Sequence, residues 1–273
     1  MKSVIIGAGT YGEVYLSYLR ESDVEVIGFL DDNPDLAGRI IRGISVLGSV
    51  ALLDNLHESH GVDAVYCPLG NNRLRVDFLN KARALGYVTP NYIHPSVILS
   101  PHVEIGQGVY ILLGTTIMPY TIIKDDVMIS MGVHVAHHNT LAEGVFLSTG
   151  CNFGASITAG KYAYCGISST IVTGIHTLGE DCLVGAGAVV VSDVPACAVV
   201  AGVPAKILKY KQIVVGQRVP PPPPAASLQI VVPDNDSFVD VLTKKILLTG
   251  STLSYSLFCY IQSIQEIGNL KVA

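Results

Sequence analysis

The chain has 273 residues, enough for two domains or for one domain with an appendage. It is 49% apolar and only 14% charged, so it either buries a large core or associates with itself. A net charge of -5 with no basic run argues against a nucleic-acid polymer as partner.

From the N-terminus, SVIIGAG reads as a strand entering a turn, TYGEVYLSYLRES as a helix and VEVIGFLDD as a second strand. VALLDNLHESHG then reads as a helix, DAVYCPLG as a strand, NNRLRVDFLNKARALG as a helix and YVTPNYI as a last strand. This order predicts a Rossmann-like parallel sheet with helices on its faces over residues 1–92. The opening MKSVIIGAGTYGEVYL is broken by glycines and carries a glutamate where a secretory leader would be cleaved, so a cytoplasmic location is expected.

Gly7-Ala8-Gly9-Thr10-Tyr11-Gly12 follows the first strand and opens a helix, and Asp31 and Asp32 end the next strand. Glycines let phosphates approach the backbone, a helix N-terminus favours their charge, and a carboxylate there can bind a ribose hydroxyl or a base edge. A nucleotide site is expected. NAD fits poorly, because about 90 residues make one mononucleotide half rather than two. Gly70-Asn71-Asn72-Arg73 follows a third strand, where open sheets bind ligands, although a helix cap would look the same.

Beyond residue 92 the chain repeats every six residues. Val97, Val103, Val109, Thr115, Thr121, Val127, Val133, Asn139, Val145, Cys151, Ile157, Ala163, Ser169 and Ile175 form one series; Ile105 to Ile171 forms a second. Neither helix nor alternating strand has this period; it predicts a parallel β-helix with three hexads per turn, the repeat spanning residues 93–200 of a second domain of residues 93–211. After Ile175 the register slips by one residue and resumes at Leu178, Val184 and Val190, as a bulge or short excursion would cause. The coil is expected to end near Pro195. Gly106, Gly114, Gly132, Gly150, Gly160 and Asn139 are expected at corners needing positive φ. Six cysteines lack CxxC spacing; Cys151, Cys165 and Cys182 are expected as reduced core fillers, and no metal site is expected.

In His134-Val135-Ala136-His137-His138, Val133 and Val135 take buried positions, so His134 points outward and His137 falls at or near a corner. A histidine there can act as general base; a corner histidine without a role and a metal ligand are the other readings. Gly202-Val203-Pro204-Ala205-Lys206 leaves the repeat, and Lys206, Lys209 and Lys211 suit a phosphate as well as they suit a solvated cap. Residues 212–273 form a third segment of unknown role, with a polyproline run from Pro220 to Pro224. Its stretch ILLTGSTLSYSLFCYIQSI is uncharged, yet Thr, Ser, Gly and Gln dilute it, so a docked element or a poorly ordered tail is expected rather than a membrane span.

GAGxxG, FLDD, GNN, the hexads and VGAGAVV…DVP…AGVPAK together resemble the nucleotide-sugar acetyltransferases of the left-handed β-helix class. The relevant group acetylates bacillosamine or perosamine precursors, or sialic acid, and the resemblance covers about residues 1–209. It implies a half-size Rossmann-like domain ahead of a left-handed β-helix, acetyl-CoA as co-substrate without a metal, and a homotrimer with active sites between adjacent subunits. The implied reaction is N-acetylation of a nucleotide-linked 4-amino-4,6-dideoxy sugar for surface glycan biosynthesis. His137 matches the catalytic histidine. Gly9, Thr10, Tyr11, Asp31, Asp32 and Gly70 match the nucleotide-sugar contacts. Phe146, Ala155, Ile167 and Ala186 match acetyl-CoA contacts made largely through backbone, with Lys206 at its phosphates. Backbone N–H groups near Ala155 are expected to hold the developing oxyanion. The family usually carries Glu or Asp after the catalytic histidine, where this chain has His138. A second family histidine is here Phe146, and Tyr11 stands where histidine is frequent. Either His137 or His138 can then be the base. Sugar O-acetylation and a non-catalytic nucleotide-binding scaffold stay open beside N-acetylation.

Overall fold

A computed structural model describes residues 1–211. The readings of the polyproline run and the apolar tail lie outside the described residues. The first part contains β1 (Lys2–Ile6), α1 (Thr10–Leu19), β2 (Glu25–Leu30), β3 (Ile40–Ile41), β4 (Ile44–Gly48), α2 (Leu53–His60), β5 (Ala64–Tyr66) and α3 (Asn72–Ala84). The sheet order is β3-β4-β2-β1-β5. β1 is buried from Ser3 to Ile6, as a central parallel strand with both faces covered must be. The expected elements as far as α3 are present, with one addition. β3 and β4 form an antiparallel hairpin in which Ile41 faces Ile44 across Arg42-Gly43, both with positive φ. Arg-Gly lacks the Asn-Gly or Asp-Gly signal of such turns, so the pattern did not announce it.

YVTPNYI is not a strand of this sheet. Val88 touches Ala64 through a single bridge, and Tyr92–Ile93 pairs with Tyr110–Ile111 in the coil that follows. The coil has three parallel walls, met in turn by the chain. Wall 1 runs through Tyr92–Ile93, Tyr110–Ile111, Met128–Ile129, Phe146–Leu147, Tyr164–Cys165 and Leu183–Val184; wall 2 runs from Ile98–Leu99 to Val189–Val190; wall 3 runs from Glu104–Ile105 to Thr177–Leu178. Pairs such as Thr116 with His134 and Ile122 with Thr140 place three hexads in each turn. Above Thr158, which pairs with Thr177, the offset grows by one residue, and the extra residue lies in the 172–176 corner. Coiling continues past Pro195. Ala198–Ala201 adds a parallel strand to wall 1, and Lys206–Tyr210 turns back against it.

Both hexad series face inward, and Val109, Ile111, Val133, Val135, Cys151, Cys165 and Cys182 are all buried in one core. Thr115, Thr121 and Asn139 of the inward series bind corner carbonyls, whereas Ser169 donates to Cys151 Sγ at 3.4 Å. Thr115 donates to Ser130 O at 2.9 Å, and Asn139 donates to Ala136 O at 2.7 Å and Gly154 O at 2.8 Å. Asn139 is therefore buried and not a positive-φ corner residue. Gly114, Gly132 and Gly150 do have positive φ, whereas Gly106 and Gly160 do not. At those two, a Cβ would press on the next coil, 2.8 Å from Asp125 N and 2.6 Å from Glu180 N. They serve close stacking. On the corner between walls 2 and 3 the non-glycine residues with positive φ are His102, Tyr120, His138 and Ser156.

The outward residues of wall 1 differ from the rest. Tyr110, Met128 and Phe146 are buried against α1 and the sheet residues Ile5, Phe29 and Tyr66. Arg75 of α3 completes the junction and has no solvent exposure. Its guanidinium donates to Leu69 O at 2.7 Å, Asp126 O at 3.0 Å and Gly144 O at 2.8 Å. Burial lowers its pKa to about 10, so it stays charged at neutral pH. Arg83 adds an ion pair to the fully buried Asp126 at 2.6 Å. The carboxyl pKa of Asp126 is nevertheless raised, because desolvation outweighs Arg83. Arg75→Met leaves three buried carbonyls without donors and is expected to cost about 3 kcal/mol, read as a lowered urea midpoint at unchanged slope.

Candidate active site

β1 ends at Ile6 and α1 starts at Thr10, which sets Gly7–Gly9 at the carboxyl edge of the sheet. A Cβ on Gly12 would collide with the Gly7 carbonyl, so glycine lets the helix close on the turn. Asp31 Oδ2 accepts from Ala8 N at 2.8 Å and its Oδ1 accepts from Asn33 N at 2.9 Å; Asp32 Oδ1 accepts from Val50 N at 2.9 Å. Both acids thus hold loops in shape, and each keeps lone pairs for a ligand hydroxyl. After β5, Asn71 caps α3 by accepting from Leu74 N, Asn72 donates to the Tyr162 carbonyl at 3.0 Å, and Gly70 stays exposed. Adjacent strands β2, β1 and β5 therefore bring Asp31, Asp32, Gly9, Thr10, Tyr11 and Gly70 to one edge. The Tyr11 hydroxyl shares a 3.3 Å hydrogen bond with Ser130 Oγ, which bonds Thr149 Oγ1 at 3.0 Å. Burial raises the Tyr11 pKa and keeps it a phenol. This chain of hydroxyls ties the loop to the corner between walls 1 and 2.

His134, His137 and His138 are all exposed. His134 points out of wall 2 and bonds Thr116 Oγ1 at 2.8 Å. His137 and His138 sit on the corner between walls 2 and 3, with their Nδ1 atoms 3.0 Å apart. The backbone below them is clamped. Ala136 O accepts from Thr121 and Asn139, Ser156 N donates to His137 O at 3.0 Å, and His138 N donates to Pro119 O at 3.2 Å. Thr121 and Asn139 do not announce themselves as supports, because an inward threonine or asparagine in a hexad reads as a filler or a corner residue, and Ser156 contributes through its backbone N–H alone. Among the described residues no three His, Cys, Asp or Glu side chains converge as metal ligands. Within one protomer, wall 2 separates this corner from the one that Tyr11 reaches.

The residues expected at acetyl-CoA divide. Ala155 lies one coil from His137 on the same corner, while Ile167 and Ala186 are exposed and stack one above the other on the corner between walls 1 and 2. A cleft of about 260 Å³ on wall 2, lined by Thr116, His134, Ala136, Asn152 and Thr173, opens beside the histidine corner. Lys206 lines a second cleft of about 350 Å³ with Ser192 and Asp193 at the end of the coil. Phe146 is elsewhere: it is 7% exposed, packs edge-on against Tyr164 and lies beneath Gly70, so its ring supports the domain junction. The amides near Ala155 are already engaged. Ala155 N donates to Thr173 Oγ1 at 3.1 Å, Gly154 N to Ile171 O and Ser156 N to His137 O. The expected oxyanion donors are therefore not free in this arrangement.

A sheet edge shaped for a nucleotide, set against a hexapeptide coil that carries exposed histidines, defines the class of left-handed β-helix acyltransferases. The PglD N-terminal domain family matches residues 2–82. GDP-perosamine N-acetyltransferase from Caulobacter crescentus, solved as a histidine-to-alanine mutant with CoA and GDP-perosamine, is 34% identical with a TM-score of 0.71; the match covers 76% of this chain and 96% of that one. The acetyltransferase domain of PglB from Neisseria gonorrhoeae is 32% identical with a TM-score of 0.57, over 76% of this chain and 99% of that domain. The chain belongs to the hexapeptide-repeat family of nucleotide-sugar N-acetyltransferases. Asp31→Ala, which frees the Ala8 and Asn33 amides, is expected to weaken nucleotide-sugar binding by about tenfold or more in calorimetric titrations with UDP-, dTDP- and GDP-sugars.

Proposed function

We propose that the chain transfers the acetyl group of acetyl-CoA to the amine of a nucleotide-linked 4-amino-4,6-dideoxy sugar, with His137 as general base. The observation that carries this assignment is His137 itself: an exposed histidine on a clamped corner, which the packing of the coil does not require. The nucleotide lies against Gly9, Thr10, Asp31 and Gly70, and Tyr11 faces the sugar. Acetyl-CoA follows wall 2 past Ala155, Ile167 and Ala186, with Lys206 toward its phosphates. The amine nitrogen attacks the thioester carbonyl, forming a C–N bond. His137 Nε2 takes the nitrogen's proton, the C–S bond breaks with its electron pair on sulfur, and the proton passes to the thiolate as CoA leaves. Juxtaposing two bound substrates supplies a large part of the acceleration. No acyl-enzyme forms, which agrees with Cys151 and Cys165 being sealed in the core.

Nucleotide edge and histidine corner lie on different corners of one protomer, and this supports a homotrimer in which neighbouring subunits share each site. His137→Ala with the fold intact is expected to lower turnover by about 10²–10⁴-fold. Undiminished turnover would move the role to His138, tested next by His138→Ala. Mixing refolded His137→Ala and Asp31→Ala chains is expected to restore activity, because some mixed interfaces hold one intact half from each. No recovery would place the reaction inside a single protomer. Stability of the product to mild base separates the amide of N-acetylation from an ester.

A further inference from the structure

A carboxylate beside a catalytic histidine accepts the proton on Nδ1, and so leaves Nε2 as the basic nitrogen. His138 has no such charge, yet its Nδ1 lies 3.0 Å from that of His137, with the two rings perpendicular. A bond between two Nδ1 atoms requires one of them to carry hydrogen and the other a lone pair. Two arrangements satisfy it. Only the one with the proton on His137 Nδ1 leaves His137 Nε2 as an acceptor, with His138 protonated on Nε2. Its geometry depends on how the His138 ring is turned, and an exposed histidine ring turns easily about its outer torsion.

The rings below His138 supply what would hold it. His102, Tyr120 and His138 take the same left-handed corner position in successive coils, with φ of 62°, 61° and 56°. Their side chains consequently leave the corner in parallel and meet. His102 and Tyr120 stack at 5.2 Å with planes 2° apart, and Tyr120 meets His138 at 4.8 Å with planes 40° apart. We propose that Tyr120, backed by His102, is a positioning residue that fixes the His138 ring so that its Nδ1 accepts a hydrogen bond from His137 Nδ1–H. The histidine pair then replaces the histidine–carboxylate pair, and the stack does the orienting that a carboxylate's charge would otherwise do. The kinetic part of this proposal rests on the acetyl-transfer reading; the tautomer does not.

The test uses the full chain labelled with ¹⁵N-histidine and compares wild type with Tyr120→Asn and Tyr120→Phe. Asparagine removes the ring and tolerates the left-handed backbone. Long-range ¹H–¹⁵N spectra of the wild type are expected to show His137 protonated on Nδ1 and His138 on Nε2. Tyr120→Asn is expected to average the tautomers of both rings and to lower kcat by roughly threefold to tenfold, the worth of one aromatic pair, with KM for both substrates unchanged. Tyr120→Phe is expected to restore the wild-type tautomers and most of kcat. Combined with His138→Gln, Tyr120→Asn should add nothing further. Reversed tautomers in the wild type, or tautomers and kcat that ignore Tyr120→Asn, would overturn the proposal. If no nucleotide amino sugar is turned over, the acetyl-transfer reading fails, and the spectra alone still decide the pairing.

Discussion

Everything the molecule brings together hangs on the buried guanidinium of Arg75. It reaches the Leu69 carbonyl just ahead of the exposed Gly70, and in the same fork the Asp126 and Gly144 carbonyls of two successive coils. A flat five-donor fork suits such convergence, and a lysine would meet only part of it. Among the described residues no carboxylate pairs with this charge, and backbone dipoles make its burial tolerable. The placement of the nucleotide edge relative to the coil thus follows from one side chain that carries its own donors into the junction, with Arg83 and Asp126 closing the outer side.

The coil was legible because its inward positions obey two constraints at once, the six-residue step and the need for small or aliphatic size. Cysteine, alanine and valine satisfy both, so Cys151 and Val133 could be placed from spacing alone. The same rule obscured the junction. Wall 1 is recognisable only on stepping by a whole turn: Tyr92, Tyr110, Met128, Phe146 and Tyr164 are outward and apolar, whereas wall 2 carries Thr116, His134 and Asn152 at the matching places. Phe146 looked like a replaced ligand because a hexad does not say which wall it belongs to. YVTPNYI looked like a sheet strand because two paired residues are too few to set a register.

The nucleotide edge was legible as a motif but not as a mechanism. Asp31 was expected to bind a ribose hydroxyl or a base edge; in the structure it braces the glycine turn. One residue shapes the loop and presents a charge to it, and spacing cannot separate the two roles. Asn71 is likewise a cap, and Gly70 beside it stays exposed. On the coil, His137 stood out because the pattern did not need it. Thr121 and Asn139, which hold the Ala136 carbonyl, and Tyr120, which packs on His138, did not stand out, since each satisfies a local demand of the coil, a corner carbonyl or a left-handed position.

The single extra residue between Thr173 and Ile175 bears on how such a chain can change in length. The next three strands above it keep their partners, their inward side chains and their walls, displaced by one in number alone. A corner absorbs an insertion because nothing in it belongs to a ladder. Within a wall, one added residue would turn every later side chain inside out. Lengths in this fold are accordingly quantised: whole turns extend the axis, and anything smaller is confined to the corners, which are the places where the histidines and the exposed Ile167 and Ala186 already stand.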